Sequence, residues 1–220
     1  MDIVKRIGWT LAAAMLALLL YAADGYRDAL RDAPKLKLLA QSIIEDGRGP
    51  GSLTDWQVEA FLAVEDPSFF EHSGIDWSTP GAGAATISQS VSKRVAFKGG
   101  QPGIGKIRQT AYALGLEEKL DKEEILALFM DLTPMGAKDG LWITGVHTAS
   151  EAFFEVPVSN LEPRDFLSLI AVMIAPGDLK IASPDAALQR RVLRIERLLR
   201  GDCIPTGNGD VWLEGCRVSS

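Results

Sequence analysis

The chain has little of what usually announces chemistry: two cysteines and two histidines in 220 residues, and no excess of positive charge, with 23 Lys and Arg against 29 Asp and Glu for a formal net charge of −6. The cysteines and histidines show no zinc-type spacing, and no glycine-rich phosphate loop is present. The acidic balance argues against a nucleic-acid binder, which carries a basic face or stripe. No internal repeat is visible, and no sustained apolar–polar alternation marks strands. These absences leave a mainly α-helical chain, and with 47% hydrophobic residues it can bury one substantial core.

Positive charge is scarce but placed. Lys5 and Arg6 precede a stretch from Ile7 to Ala23 that carries no charge and ends at Asp24. As a helix it spans roughly 25 Å, marginally enough to cross a bilayer. A cleaved signal peptide is the competing reading, but Leu20-Tyr21-Ala22-Ala23 is a poor small-x-small cleavage site, which favours a retained anchor. The positive-inside rule then keeps Lys5 and Arg6 cytoplasmic and puts everything after Asp24 on the outer side. There a disulfide can persist. Cys203 and Cys216 are close in sequence beyond the last predicted helix, so a bridge would staple the tail, with two free thiols as the alternative. The organisation expected is a cytoplasmic stub and anchor (1–25), a helical domain (26–201) and a C-terminal tail (202–220).

Within the domain, short helices are expected from Ala33 to Ile44 and from Asp55 to Val64. A turn at Ser78–Gly83 leads into a helix through Lys93, and a glycine-rich loop follows at residues 98–105. A helix from Lys106 carries Ile107, Ala111 and Leu114 on one face, and Asp121 with Glu124 reads as the cap of the next. Asn160 and Pro163 start another that ends before Pro176. The last runs from Pro184 to Arg200 with Gly201 as its stop, with Leu188, Val192, Ile195 and Leu199 inward and its arginines outward.

The segment Glu65-Asp66-Pro67-Ser68-Phe69-Phe70-Glu71-His72-Ser73-Gly74 gathers an acidic pair, aromatics, a histidine and a glycine within a short span. An acid walled from water by aromatic rings suits a carboxylate whose pKa is raised for proton transfer. The plainer reading is a helix end, with Glu65 and Asp66 solvated, the phenylalanines in the core and His72 capping the last carbonyls.

The order of later segments bears on that choice. Glu65, Asp66, Phe69, His72 and Gly74 complete the pattern Glu-Asp-x-x-Phe-x-x-His-x-Gly. Residues 83–94 then resemble Gly-Gly-Ser-Thr-Ile-Thr-Gln-Gln-x-x-Lys-Asn, keeping Thr86, Gln89 and Lys93 but with Ala85, Ser90 and Arg94 in place of Ser, Gln and Asn. Gly105-Lys106-Ile107-Arg108-Gln109 is similar to Arg-Lys-x-x-Glu, with Gly105 and Gln109 at the Arg and Glu positions. A fourth segment, Lys122–Asp131, has Phe129 and Asp131 for Tyr and Asn. A fifth, Arg190-Arg191-Val192, has Val for Asn. Together, from about Thr54 to Gly201, they resemble the peptidoglycan glycosyltransferases of glycosyltransferase family 51, the monofunctional transglycosylases and the polymerising half of bifunctional penicillin-binding proteins.

The resemblance implies a lysozyme-like helical fold and a membrane-anchored enzyme of the bacterial inner membrane, its domain on the periplasmic side, that polymerises a lipid-linked disaccharide-pentapeptide into glycan strands. It implies Glu65 as the base, with Gln109 at the position of a second catalytic glutamate. Asp66, Phe69, His72, Thr86, Gln89, Lys93, Lys106, Arg108, Arg190 and Arg191 are implied to bind substrate. No cofactor is required, and a divalent cation (Mg or Mn) is compatible with the chemistry; other cell-wall synthesis proteins are implied partners, and nucleic acid is not. Because the chain is acidic, Lys93, Arg94, Lys98, Lys106, Arg108 and the Arg190/Arg191 pair are expected to converge on the pyrophosphate. Gln109 accepts and donates hydrogen bonds but carries no charge. Two other readings therefore stand beside the polymerase: a non-catalytic relative that binds lipid-linked glycan or docks on wall-synthesis proteins, and a lysozyme-like lytic enzyme.

Overall fold

A computed structural model describes residues 2–83, 85–97 and 102–217 of the chain. Lys98 and most of the glycine-rich loop expected there lie outside the described residues. The architecture is mainly α, as the composition implies. Helix α1 (Asp2–Glu45) is followed by α2 (Asp55–Glu65), α3 (Ile87–Val95), α4 (Gly105–Lys119) and α5 (Lys122–Leu132). Strands β1 (Pro134–Lys138) and β2 (Leu141–Thr144) come next, then α6 (Val146–Phe154), α7 (Pro163–Val172) and α8 (Ala186–Leu199).

The anchor and the first domain helix, expected as separate pieces, are one continuous helix. Its first half exposes Ile7, Trp9, Leu16 and Leu20, and it is the one helix among the described residues long and apolar enough to cross a membrane. Its second half buries Ala29, Ala33, Leu36, Ala40 and Ile43, a single stripe of three- and four-residue steps laid against α4 and α5. Pro34, a residue that removes a hydrogen bond inside a helix, lies on the exposed side. The approach to α4 is so close that a Cβ at Gly25 would lie 2.4 Å from the Arg108 carbonyl oxygen, and one at Gly115 would lie 2.7 Å from the Ala29 side chain.

Capping explains where several helices begin. Thr54 with Gln57, Thr86 with Gln89 and Asp121 with Glu124 each form a reciprocal capping box at the start of α2, α3 and α5. Glu124 also reaches Lys37 and Gln41 of α1, both at 3.2 Å, which ties α5 to the long helix. The core gathers Phe61, Phe69, Tyr112, Leu116, Leu128, Met130, Met135, Phe166 and Leu169, all essentially inaccessible to water.

Further expectations need correction, among them that the arginines of α8 all face outward: Arg191 is buried. The antiparallel β1–β2 hairpin was not anticipated, and it turns at Asp139 and Gly140, both with positive φ (52° and 80°), as a two-residue Asp-Gly loop requires. The helix α6 was also not anticipated. The face of α4 expected to be inward is partly exposed: Ile107 and Leu114 line a hollow of about 470 Å³ with Trp77 and Ala22, while Gln109, Tyr112, Ala113 and Leu116 are the buried side.

The C-terminal segment is a docked element. Cys203 and Cys216 are bonded to each other, with Cα atoms 5.2 Å apart. The carboxylate of Asp210 accepts from the amides of Thr206 (2.9 Å), Glu214 (2.6 Å) and Gly215 (3.0 Å), folding the loop on itself. Arg194 and Arg197 of α8 donate to carbonyls of Trp212 and Cys216 at 2.9 and 3.0 Å, and the amides of Gly81 and Gly83 donate back to Gly207 and Asn208 at 3.0 and 2.8 Å. The segment thus joins α8 to the turn that precedes α3.

Candidate active site

The acidic pair sits where α2 ends. Glu65 is its last residue and Asp66 leaves the helix with extended backbone (φ −164°). That break turns the two neighbouring carboxylates to different tasks. Asp66 is fully buried and accepts from the amide of Ile87, the first residue of α3, at 2.9 Å and from His72 Nε2 at 3.0 Å. His72 Nδ1 accepts from the Gly74 amide at 3.0 Å, so the imidazole proton lies on Nε2 and is donated to Asp66. Burial pushes the Asp66 carboxyl up in pKa, opposed by the Ile87 amide and His72. Gly74 has φ 99°, and the Thr86 hydroxyl donates to its carbonyl at 2.8 Å. The first and second motifs are therefore clamped together through Asp66, His72, Gly74 and Thr86.

Glu65 is placed differently. It is partly buried and makes no hydrogen bond and no ion pair within 4 Å among the described residues. Burial pushes its pKa up to about 7, held in check by the positive charges of Arg191 and Arg94 and helped by the negative charge of Asp66. A carboxyl in that range exists in both protonation states near neutrality, which is what a group that takes a proton in the transition state requires.

The two arginines come from different helices. Arg191 of α8 is 3% exposed, its guanidinium lies over the Trp212 ring at 5.9 Å, and burial pulls its pKa down to about 10 despite Glu65 nearby. Arg94 of α3 lies over the Phe129 ring at 4.9 Å, and burial lowers its pKa also, with Glu65 raising it. Buried N–H groups of both, Nη1 of Arg94 and Nε and Nη1 of Arg191, have no hydrogen-bond partner among the described residues.

The other sequence candidates are distributed more widely. Phe69 is core, with the Lys122 ammonium 4.4 Å from its ring centroid. Thr86 and Gln89 are buried in the α3 capping box, and Gln89 Nε2 donates to the Thr110 hydroxyl at 3.1 Å. Gln109 is 7% exposed and its amide donates to the Gln89 carbonyl at 3.3 Å. The expected convergence of cations is only partly seen. Arg108 is turned to α1, paired with Asp28 and, at 2.9 Å, with Asp24. Lys93, Lys106 and Arg190 are exposed. Among the described residues, Arg191 and Arg94 are the cations whose charge acts on Glu65, neither at ion-pair distance. Sequence reasoning counted Arg94 among the useful cations without assigning it a site, and it missed Trp212; the one signal for the former was an arginine at a position where the motif has asparagine.

No group of three or more His, Cys, Asp or Glu side chains that could hold a metal ion occurs among the described residues. The donor set at Glu65, two guanidinium groups beside one unpaired carboxyl, fits an anion and does not fit a resident divalent cation.

The chain is thus a helical domain on an apolar helix, with a partly buried carboxyl that is unpaired among the described residues and lies in the field of two arginines. Comparison with known proteins makes this specific: the transglycosylase family profile matches residues 51–199, and the chain belongs to that family. Biosynthetic peptidoglycan transglycosylases are among its relatives. That of Citrobacter koseri is 29% identical over 179 residues, covering 74% of this chain and 72% of the other. That of Cronobacter sakazakii is 30% identical over 165 residues (68% and 67%), and that of Alcanivorax borkumensis 26% over 168 residues (70% and 67%).

Proposed function

We propose that the protein is a peptidoglycan glycosyltransferase held at the membrane by α1, polymerising a lipid-linked disaccharide-peptide into glycan. The observation that carries this is Glu65: a partly buried carboxyl pushed up to about 7, without a hydrogen-bond partner among the described residues, in the field of the Arg191 and Arg94 charges. In the reaction, Glu65 takes the proton from the 4-hydroxyl of the acceptor sugar as that oxygen bonds to the anomeric carbon of the growing chain. The bond from that carbon to the diphosphate oxygen breaks, and its electron pair leaves with the lipid diphosphate. Positive charge from arginine offsets the charge that develops on the leaving group. No cofactor is needed in this scheme, and no step runs through a metal.

With Lys5 and Arg6 cytoplasmic, the domain lies on the outer side of the membrane, a setting in which the Cys203–Cys216 bridge is expected to persist. The partners of this reading are the lipid-linked precursor, the glycan strand, the bilayer and other proteins of wall synthesis. The test is incubation of the detergent-solubilised protein with lipid-linked disaccharide-peptide and gel separation of the products. Glycan ladders support the proposal. Binding without turnover favours the non-catalytic relative, a reading that the buried, hydrogen-bonded Gln109 keeps open, and soluble fragments released from preformed wall favour the lytic one.

A further inference from the structure

Arg190, Arg194 and Arg197 recur in steps of four and three along α8, on the face opposite the buried Leu188, Val192 and Ile195. Arginines on such a face are ordinarily solvated. Here the C-terminal segment lies along them. Arg194 donates to the Trp212 carbonyl at 2.9 Å and pairs with Glu214 at 2.7 Å, and Arg197 donates to the Cys216 carbonyl at 3.0 Å. The result is a hollow of about 310 Å³ lined, among the described residues, by Arg190, Leu193, Arg194 and Arg217. We propose that this hollow is a carboxylate-binding site that holds the peptide stem of the glycan. The proposal rests on the reading of the chain as a glycosyltransferase and names what holds the peptide part of its substrate.

Three observations carry it. The first is charge. Among the described residues Glu214 is the one carboxylate paired with the lining arginines, and it serves two of them, Arg194 and Arg217. Arg190 makes no hydrogen bond and no ion pair among the described residues. Glu196, the acid of α8, is paired instead with Arg164 at 3.1 Å. Three guanidinium groups therefore meet one carboxylate in a chain whose net charge is −6, and the local excess favours an anion. The second is shape. Beside Leu193, the guanidinium forks offer planar pairs of N–H groups, the geometric match of a carboxylate. A hollow gathers those donors on one ligand, where a flat face would leave each to water.

The third is position. α8 packs on α2, α7 and the C-terminal segment, whereas the anchor helix packs on α4 and α5. The hollow thus stands on elements other than those that meet the anchor, which favours a soluble part of the substrate over a lipid headgroup. Arg191, on the inner side of the same helix, is a cation whose charge acts on Glu65. A helix is about 10–12 Å across and an extended pentapeptide reaches roughly 17 Å, so a stem borne by a sugar near Glu65 is long enough to round α8. Arg217 lies beyond residues 51–199, which the family profile matches, and follows Cys216 of the disulfide directly. The docked segment therefore completes the site.

The experiment uses the disaccharide-pentapeptide freed from its lipid as the probe, with the peptide-free disaccharide as its control, on the full chain in detergent by calorimetry. The peptide-bearing probe should bind the wild type more tightly than the control. Arg190→Gln, at an exposed and unpartnered side chain, should weaken the probe about tenfold and leave the control unchanged, since a charged hydrogen-bonding partner is lost. Arg217→Gln should act in the same direction. Equal binding of probe and control by the wild type, or undiminished probe binding in both variants, overturns the site. A glutamate-rich peptide that binds with Arg190 dependence where the probe does not would assign the hollow to an acidic protein segment and overturn the stem. In a polymerising preparation, Arg190→Gln should raise KM more than it lowers kcat, the signature of binding remote from the bonds that change. A merely structural role would move Tm and not this ratio. Probe binding needs no turnover, so Arg190-dependent binding without polymerisation would remove the proposed function and keep the site, and polymerisation with Arg190-independent binding would do the reverse.

Discussion

Asp66 and His72 are joined by a hydrogen bond of 3.0 Å from Nε2 to the carboxylate, and the direction of that bond is fixed by the Gly74 amide on the other ring nitrogen. The pair therefore acts as a splint: it anchors the end of α2 to the first amide of α3 and so sets where Glu65 stands.

Asp66→Asn should accordingly destabilise the fold. An amide presents one acceptor oxygen where a carboxylate presents two, so the Ile87 amide or His72 loses its partner in a fully buried place, at a cost of about 1–3 kcal/mol. Denaturant unfolding measures it. A variant as stable as the parent would show that the splint contributes nothing.

Glu65→Gln should abolish polymerisation and, at neutral pH and above, leave stability equal or higher. The folded carboxyl titrates near 7 against an ordinary value of 4.5, so the folded state binds more protons across that interval and its stability falls as pH rises through it. The glutamine variant loses that slope. Unfolding curves from pH 4.5 to 8 compare the two, and identical slopes would contradict the placement of Glu65.

His147 gives a slope of the opposite sign. Its Nε2 lies 2.6 Å from the Ser52 hydroxyl, and burial with the nearby Arg48 charge pulls its pKa down to about 4 from 6.5. The unfolded chain then binds the extra proton, so this stability is whole above about 6.5 and is lost as pH falls toward 4. In the Glu65→Gln background the acid loss should stand alone, and adding His147→Gln should flatten it.

Gln109→Glu, which by resemblance alone restores a catalytic acid with little structural change, should here be destabilising and give no gain in rate. The glutamine amide donates to the Gln89 carbonyl, and a carboxylate would set oxygen against oxygen in a buried place. A large gain in polymerisation would mean that the side chain leaves this position when substrate binds.

Replacing both Cys203 and Cys216 by serine should cost roughly 2–3 kcal/mol in the chain-entropy model for a loop this short. Because Trp212, under the Arg191 guanidinium, lies within that loop, polymerisation should fall along with stability. Lost stability with an unaltered rate would limit the bridge to a fold-holding role.

Much of this was written locally. The capping box at Asp121 and Glu124 and the stop at Gly201 depend on neighbours a few residues apart, and the structure has them where the sequence signals them. The hairpin was also signalled locally, by Asp139-Gly140, but its strands are too short to show alternation. The orientation of α4 was not local at all. Ile107, Ala111 and Leu114 make a plausible inward face, yet the small residues Gly25 and Gly115 let α1 press on the flank beside it.

The sequence alone determined the family, the helical class, the apolar first segment and the acid at position 65, because each depends on residue identity and short spacing along the chain. Only the tertiary structure decided which cations serve that acid. Arg108, Lys106 and Lys93 look equivalent to Arg94 and Arg191 as a list of charges, but a charge acts through distance and burial. Asp24 and Asp28, far away in sequence, claim Arg108, while Phe129 and Trp212, equally remote, lie under Arg94 and Arg191, the two cations whose charge acts on Glu65.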